Sequence, residues 1–398
     1  MSTIESLIRN HHLGNQFIHT NLVMSERNTF VILIYCLIFS TCLVIHQVNF
    51  ALDAPSYTKK LPGSGWKSCL GKSSWMSQKR MATRGKYWVL YNIYKAAREL
   101  ECFESVTYVT QGEYQYLDNL WPVLQRWQGP ISVAVYAPGT DYIQALDTIN
   151  YYRHCLEYSP QIVQWVSFHI FYPIDHQPAN LNVTFSACRD FRPSVLSYRK
   201  AKQLDYPVNV ARMIARESAT THYVFTSDIE LYPSPNLISS FLQMIQRIGQ
   251  QDDTTVFVTP IFEIKADASL PADKKELVEM LHNQSAIIFH QNFCEACHKI
   301  PHYVEWLMLN STSSPHQLSV FKVAKRRGLW EPIYIGTNQD PPYDERLSWE
   351  GRSDKMVQVS QDKKYFIFFR VSFIGFLLNR DSFFACLTIN SPFWTTPS

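Results

Sequence analysis

Short apolar runs alternate with amphipathic segments through the middle of this chain. The runs are β-branched and nearly continuous, a pattern that predicts strands buried on both faces of a mostly parallel sheet. The segments between and after them repeat apolar residues at helical spacing. The predicted strands are Ser105–Thr110, Ile131–Tyr136, Val163–Phe171 and Tyr223–Thr226, and the clearest predicted helices are Asp118–Trp127, Tyr142–His154, Asn209–Glu217 and Leu237–Arg247. This alternation predicts a layered α/β domain.

A different pattern occurs near the amino terminus, where residues 30–45 form an apolar run without a charged side chain. Extended to residues 29–52, the run is long enough to span a bilayer as a helix. We predict a transmembrane signal anchor at 29–52, a cytoplasmic leader at 1–28, and a stem at 53–80 that is rich in Ser, Gly, Lys and Pro. A cleaved signal peptide and a buried helix are the alternatives.

Composition and charge narrow the class of protein. Of 398 residues, 46% are hydrophobic and 18% are charged, so the chain is too apolar for a disordered protein. Lys and Arg number 37 and Asp and Glu 34, which leaves a net charge of only +3. Nucleic-acid-binding domains carry a stronger positive charge, so no nucleic-acid partner is expected. The length allows one large domain or two ordinary ones.

Sequons and cysteines favour a lumenal location for the body of the chain. Three N-glycosylation sequons follow the predicted anchor, at Asn182, Asn283 and Asn310. Of nine cysteines, six lie between the anchor and the last forty residues, and an even number allows up to three disulfides. The six are Cys69, Cys102, Cys155, Cys188, Cys294 and Cys297. Their spacing does not give the pairing.

The candidate chemistry lies directly after the fourth predicted strand. Asp228 and Glu230 follow this strand, with Ile229 between them. In extended backbone, residues i and i+2 point to the same side, so the two carboxylates are predicted to project together while Ile229 faces the core. Paired carboxylates are oxygen ligands for Mg²⁺ or Mn²⁺, and such an ion neutralises a diphosphate leaving group. The alternative is an exposed strand end that carries two charges.

Five blocks of sequence surround the acidic pair and extend on both sides of it. They are YPVNVARMIARESATTHYVFTSDIELYPSPNL (Tyr206–Leu237), VTYVTQG (Val106–Gly112), WQGPISVAVYAPG (Trp127–Gly139), CEACHKIPHYVEW (Cys294–Trp306) and WEPIYIGTNQDPPYDERLSWEGRSDKMVQ (Trp330–Gln358). Together these blocks resemble the family 49 glycosyltransferases. The resemblance covers about residues 80–358, so we expect one lumenal glycosyltransferase domain at 81–358.

The resemblance implies a GT-A-like fold in a single-pass type II enzyme of the Golgi membrane, with the catalytic domain in the lumen. It implies inverting, metal-dependent transfer of glucuronic acid from UDP-glucuronate to a glycan acceptor on a glycoprotein. Asp228 and Glu230 are then the ligands of Mn²⁺ or Mg²⁺. Another UDP-sugar donor, such as UDP-xylose or UDP-galactose, stays open, as do an inactive lumenal glycan-binding homologue and the oligomeric state.

Further site residues follow from their positions in the matching blocks. Thr110 and Gln111 end the first predicted strand and are candidates for the nucleotide pocket, because ligands of α/β sheets bind beyond the strand ends. Asn209 and Arg212, on the helix before the acidic pair, are candidates for binding the diphosphate or the sugar carboxylate. The alternative for this second pair is a solvated helix face.

Inversion at the sugar carbon needs a base that takes the proton of the acceptor hydroxyl. The loop Asp340–Arg346 (DPPYDER) is the candidate acceptor-side element, and Asp344 within it is the candidate base. The alternative is a salt bridge between Asp344 and Arg346, which would serve the loop and not the reaction.

The sequence departs from the family pattern at three places. Glu230 stands where the family more commonly has Asp, and Met213 stands where it usually has Asn. After Gln358 the resemblance stops, and with it the family segment whose late His resembles a third metal ligand. Residues 359–398 hold eight of the 24 phenylalanines and show no helical or alternating pattern. Because Val359 and Ser360 fit the splice-donor codons GTAAGT, we hypothesise a translated intron, with a divergent C-terminus as the alternative.

Overall fold

A large and a small β-sheet form the frame of the structure, which is a computed structural model. The residues that it describes are 78–181, 188, 196–249, 255–309, 318–324, 330–348, 355, 365–369 and 374–378. The strands are β1 (Arg80–Arg84), β2 (Tyr87–Tyr94), β3 (Val106–Gly112), β4 (Ile131–Tyr136), β5 (Val166–Pro173), β6 (Tyr223–Thr226), β7 (Leu231–Pro233), β8 (Thr255–Thr259), β9 (Ile261–Lys265), β10 (Ala286–Ile288), β11 (Val320–Ala324), β12 (Ile333–Thr337), β13 (Tyr365–Phe369) and β14 (Ile374–Leu378). The four strands predicted from apolar runs are present as β3, β4, β5 and β6.

The predicted helices are also present, with small shifts at their ends. The helices are α1 (Leu120–Trp127), α2 (Asp141–His154), α3 (Ser159–Trp165), α4 (Tyr198–Ala201), α5 (Val208–Glu217), α6 (Leu237–Ile248), α7 (Lys274–His282), α8 (Gln291–His298) and α9 (Tyr303–Met308), with short 3-10 turns at Tyr114–Asn119 and Ile174–His176. One boundary is wrong, because residues 163–165 are the end of α3 and not the start of β5. Pro160 lies in the first turn of α3, where its missing N–H costs nothing.

The large sheet has the strand order β1-β2-β5-β4-β3-β6-β12-β8-β13-β11. Its centre, β5-β4-β3-β6, is parallel. The neighbours on either side, β2 and β12, pair antiparallel with this centre. The predicted α/β class is therefore confirmed. The sheet itself is mixed, with parallel pairing in its centre and between β8 and β13.

Helices cover both faces of the parallel centre. On one face, Ala211 and Ile214 of α5 pack against Val109 of β3 and Val224 of β6. On the other face, α1, α2 and α6 pack in a larger apolar cluster that includes Tyr108 of β3. All residues of β3 and β4 are buried, which is why these strands read as continuous apolar runs.

Two strands in the last forty residues join the two sheets. β13 lies between β8 and β11 in the large sheet, and β14 lies between β9 and β7 in the small sheet of order β10-β9-β14-β7. Neither strand is among those predicted from sequence, because residues 359–398 show no helical or alternating pattern. Strand β8 pairs with β13, and strand β9 pairs with β14, and both partners are far away in sequence. The translated-intron hypothesis stays a prediction.

The predicted leader and anchor, with most of the stem, lie outside the described residues. Among the helices that the structure does describe, none has the length and apolar character needed to cross a bilayer. Cys155 and Cys188 form a disulfide that links the end of α2 to the segment before α4. Cys102 is also disulfide-bonded, and so is Cys297. The prediction that cysteines of the body form disulfides is confirmed for these four.

Candidate active site

The acidic pair lies on a turn at the carboxyl end of β6, beside the parallel strand β3. The Leu231 amide donates to the Asp228 carbonyl at 3.0 Å and closes the turn. The Tyr108 hydroxyl lies 2.9 Å from the Asp228 carbonyl oxygen and 2.6 Å from that of Leu231. The predicted extended backbone is therefore wrong, because these tertiary contacts bend the chain. Ile229 faces the core, as predicted.

Asp228 is buried and surrounded by donors. Its Oδ1 accepts from Arg212 Nη2 at 2.9 Å and from Gln111 Nε2 at 3.2 Å, and its Oδ2 accepts from Lys355 Nζ at 2.7 Å. Burial opposes ionisation of this carboxyl, but the charges and hydrogen bonds of Lys355 and Arg212 outweigh burial and hold its pKa well below its usual range. Asp228 is therefore a carboxylate at any physiological pH.

Glu230 is half-buried and, in contrast with Asp228, forms no ion pair with a residue that the structure describes. Burial, and after it the negative charge of Asp228, raise the pKa of Glu230 above its usual value. Burial followed by the charges of Glu113 and Glu230 also raises the pKa of Tyr116. Lys355 and Arg212 lower the pKa of Glu230 only in part, so the carboxylates of Glu230 and Asp228 still repel each other.

The acidic pair fits a divalent cation as two carboxylate ligands. Within the described ranges, no group of three His, Cys, Asp or Glu side chains could hold a metal ion. Mg²⁺ and related ions nevertheless often take one or two carboxylates and complete their shell with water and substrate phosphate. Burial, and after it the charge of Asp228, raises the pKa of Glu230, so the two carboxylates repel each other, and this repulsion is the observation that favours such an ion. The metal assignment of Asp228 and Glu230 stays a prediction.

Asn209 and Arg212 lie on α5 and are both fully buried, so the alternative of a solvated helix face is wrong. They are three residues apart on one face of the helix, and Arg212 Nη1 donates to Asn209 Oδ1 at 2.9 Å. Arg212 therefore contacts Asn209 through Nη1 and Asp228 through Nη2. Its planar guanidinium is held in a fixed orientation by these two contacts.

Gln111 and Thr110 lie near the end of β3 but face opposite sides of the sheet, because strand side chains alternate. Gln111 contacts Asp228, and together with Arg212 and Lys355 these residues form what we call the Asp228 cluster. The Oε1 of Gln111 also accepts a hydrogen bond from the Tyr206 hydroxyl. Thr110 is fully buried, and its hydroxyl forms no hydrogen bond within the described part of the chain. The structure thus brings Gln111, and not Thr110, to the acidic pair. Their nucleotide role stays a prediction.

The Asp340–Arg346 loop is held against the same helix α5. Arg216 donates to the carbonyls of Asn338 at 3.2 Å and Pro341 at 2.8 Å, and also to that of Asp340. Asn209 Nδ2 donates to the Asp344 carbonyl at 2.9 Å. One face of α5 therefore connects the acidic pair with the loop that carries the candidate base.

The side chain of Asp344 is paired with Arg346, as the salt-bridge alternative predicts. Arg346 Nη2 lies 2.6 Å from Oδ2, and Nε lies 2.9 Å from Oδ1. The side-chain and backbone hydrogen bonds from Arg346 lower the pKa of Asp344 to about 2. Among the described residues, Asp344 is linked to Asn209, and through it to Arg212, by its backbone carbonyl. Its role as the base stays a prediction.

Sequence reasoning missed Lys355 and Tyr206. Lys355 is separated from Asp228 by 127 residues, and Tyr206 from Gln111 by 95. Both residues lie within the matching blocks, but no spacing rule singles out one lysine or one tyrosine there. The only available signal was membership of those blocks.

Comparison with known proteins identifies the family. The chain matches the family described as "Glycosyl-transferase for dystroglycan" over residues 105–361, which is well over half of its length. The chain therefore belongs to this glycosyltransferase family, and the resemblance drawn from the sequence blocks is confirmed. The matched range includes β3, α5, the acidic pair, the Asp340–Arg346 loop and Lys355.

Three relatives show the extent of the similarity. Beta-1,4-glucuronyltransferase 1 of Danio rerio is 31% identical over 260 residues, which are 62% of this chain and 58% of that protein. The protein of the same name from Homo sapiens is 26% identical over 262 residues, which are 62% of this chain and 61% of that protein. Xylosyl- and glucuronyltransferase LARGE2s of Danio rerio is 23% identical over 249 residues, which are 61% of this chain and 27% of that protein. The chain thus spans about three-fifths of the length of the first two relatives.

Among solved structures, Staphylococcus aureus TarS residues 1–349 in complex with UDP has a TM-score of 0.32 and 13% identity, over 70% of this chain and 62% of that chain. A similarity of this size carries no argument about the present protein.

Proposed function

We propose that this chain transfers glucuronic acid from UDP-glucuronate to a glycan acceptor on a glycoprotein, with inversion at the sugar carbon. Family membership and relatives whose names contain glucuronyltransferase support this donor. The observation that carries the proposal is the Asp228 cluster, in which a buried carboxylate meets Arg212 and Lys355 beside the half-buried Glu230. An acidic pair with adjacent cations suits a donor whose diphosphate and sugar carboxylate are both anionic.

In this proposal, Asp228 and Glu230 would hold Mn²⁺ or Mg²⁺, and such an ion would neutralise the charge of the departing diphosphate. Arg212 keeps Asp228 ionised and fixed in orientation through its Nη2. The guanidinium of Arg212 is itself held in place because its Nη1 donates to Asn209. Gln111 donates to the same carboxylate oxygen and lies at the strand end where the nucleotide is proposed to bind. These side chains are ordered by the fold before any ligand arrives, so little reorganisation is needed during the reaction.

The proposed reaction forms a bond between the acceptor hydroxyl oxygen and C1 of glucuronic acid. The bond between C1 and the diphosphate oxygen breaks, its electron pair leaves with UDP, and the hydroxyl proton passes to Asp344. The Arg346 hydrogen bonds that lower the pKa of Asp344 to about 2 keep this carboxyl ionised at neutral pH. Because Arg346 is 88% exposed, an acceptor hydroxyl can replace it on Asp344 at small cost.

We also propose that the domain faces the Golgi lumen behind a single type II anchor. The Cys155–Cys188 disulfide supports an oxidising compartment. The sequon residue Asn283 is exposed at the end of α7, and its Oδ1 accepts from the Ser285 amide at 2.9 Å. Protein from secretory cells should carry an endoglycosidase-sensitive mass that Asn283→Gln reduces. A wild-type protein without any such mass contradicts the location.

UDP release from UDP-glucuronate by the purified full chain, with a glycan acceptor present, tests the proposed reaction. We expect turnover in Mn²⁺ that a chelator abolishes and that UDP-xylose and UDP-galactose do not support. Preference for another UDP-sugar would overturn the donor assignment, and turnover that survives chelation would overturn the metal. Tight glycan binding without turnover of any donor would favour a glycan-binding protein.

A further inference from the structure

The two cations at Asp228 differ in how deeply they lie. Arg212 Nη2 contacts Oδ1 at 2.9 Å, and the Arg212 side chain is only 1% exposed. Lys355 Nζ contacts Oδ2 at 2.7 Å, and the Lys355 side chain is 11% exposed. Arg212 therefore belongs to the interior of the domain, whereas Lys355 approaches the carboxylate from the side nearer to solvent.

Oδ2 is the oxygen of Asp228 that a divalent ion would need. Oδ1 already accepts hydrogen bonds from Arg212, which lies on α5, and from Gln111, which lies on β3. A metal ion and an ammonium seek the same lone pairs and repel each other by charge, so each excludes the other at short range. The position that the proposed ion would take on Oδ2 therefore holds the Lys355 ammonium in this structure.

We propose that Lys355 is a donor-site residue that competes with the divalent ion for Asp228 Oδ2 and, once displaced, binds the diphosphate of the donor. The inference rests on the proposed function, because it takes the ion and UDP as the ligands. It assigns to one lysine two opposite effects, one on the ion and one on the nucleotide.

The diphosphate is the natural second partner of the displaced ammonium. A mostly buried ammonium is stabilised by nearby negative charge, so an anion that enters beside Lys355 is favoured. Lysine carries its charge on a flexible four-carbon stem with three donors, and it is a common phosphate ligand. Asp228 and Glu230 would hold the ion and the donor diphosphate in the same site, so the new partner of Lys355 would arrive with its competitor. Ion and nucleotide are then expected to strengthen each other's binding.

Calorimetric titration of the full chain tests this inference, first with Mn²⁺ alone and then with UDP at saturating Mn²⁺. Lys355→Met keeps the apolar stem and removes the charge. We expect it to bind Mn²⁺ about tenfold more tightly than wild type, and UDP about tenfold more weakly, which is the scale of one charged hydrogen bond. Lys275→Met, on the exposed face of α7, is the matched control and should change neither affinity.

Two further variants separate charge from folding. Lys355→Arg keeps the positive charge and should restore UDP binding while Mn²⁺ alone binds as weakly as in wild type. Lys355→Gln keeps a donor to Asp228, so it should fold even if Lys355→Met does not, and it should show the same opposite shifts. A merely structural lysine would weaken both ligands on substitution, and that result overturns the inference.

Failure of the inference can be told apart from failure of the proposed function. A wild type that binds Mn²⁺ and UDP, with both affinities unchanged by Lys355→Met and Lys355→Gln, rejects only the role of Lys355. A wild type that releases no UDP from UDP-glucuronate rejects the proposed function. The titration with Mn²⁺ alone still decides the competition in that second case, since it needs no nucleotide.

Discussion

Asp228 and Asp344 are each paired with an arginine, and the surroundings of the two pairs differ in depth and in origin. Asp228 is buried, and its partner Arg212 lies on a helix that is fixed by the sheet. Asp344 pairs with Arg346, two residues further along the same loop, and that arginine is 88% exposed. The first pair is built by tertiary structure, whereas the second is local and screened by water. The same two residue types thus form a fixed part of a site in one place and an exchangeable contact in the other.

The largest expected effect is that of Asp228→Asn on activity. The substitution removes the negative charge that Arg212, Lys355 and the proposed ion share. We expect the rate of UDP release to fall about a thousandfold, as for the loss of a preorganised electrostatic contact. Asp267→Asn, in an exposed turn after β9, is the matched control and should keep the wild-type rate. Substantial activity in Asp228→Asn would contradict its place in the site.

Next comes the stability of the two arginine pairs, which is the most direct test of the comparison. Arg212→Met leaves Asp228 buried with one cation fewer, so we expect the free energy of unfolding to fall by about 3 kcal/mol. Arg346→Met removes a solvated partner and should leave the free energy of unfolding unchanged within error. Urea denaturation followed by fluorescence measures both. Equal losses in the two variants would show that depth does not distinguish the pairs.

Asp344→Asn tests whether the exchangeable pair serves the reaction. If Asp344 takes the acceptor proton, the rate should fall about a hundredfold, the lower range for loss of a general base. The urea midpoint should not move, because the pair with Arg346 is local and exposed. A wild-type rate in Asp344→Asn would leave the salt bridge as the whole role of this carboxylate.

The smallest expected effect is the pH dependence that Glu230 adds. Because the pKa of Glu230 in the folded chain is raised above its ordinary value of 4.5, the folded state binds this proton more tightly than the unfolded state does. The stability contributed by Glu230 is therefore present below pH 4.5 and lost as the pH rises through the higher folded value.

Glu230→Gln removes this loss, so it should raise the free energy of unfolding at pH 8 relative to wild type. At pH 4 it should change nothing. Denaturation in chelator at the two pH values makes the measurement. A stabilisation that is equal at both values would assign the effect to something other than ionisation.

The parts of the fold that were predictable from sequence are those whose cause is local. β4 and β6 begin and end at the predicted residues, since a strand buried on both faces reads as an unbroken apolar run. α5 was predicted from the helical spacing of its apolar residues, and the positions of Asn209 and Arg212 on it followed. The start of β5 was not predictable from apolar content. That content alone does not distinguish the last residues of helix α3, which are 163–165, from the first residues of a strand.

The parts of the site that escaped prediction depend on contacts across the chain. The turn at Asp228 is held by the hydroxyl of Tyr108, 120 residues earlier, and Lys355 arrives from 127 residues later. Neither distance leaves a periodic signal. Two strands in the last forty residues escaped for the same reason, since their partners β8 and β9 are remote in sequence. Local pattern therefore located the acidic pair, and only the fold supplied the counter-ions of Asp228.

Helix α5 also fixes the angle between the residues that contact the acidic pair and those that contact the Asp344 loop. Asn209, Arg212, Met213 and Arg216 recur at steps of three and four residues and so share one face. The first two serve the acidic pair, and Arg216 carries the loop of Asp344. Each residue of an α-helix turns the chain by about 100°. One residue inserted between Met213 and Arg216 would leave a sound helix yet point the loop contacts a quarter-turn away. The phase of this one helix therefore fixes how the acidic pair and the Asp344 loop are oriented relative to each other.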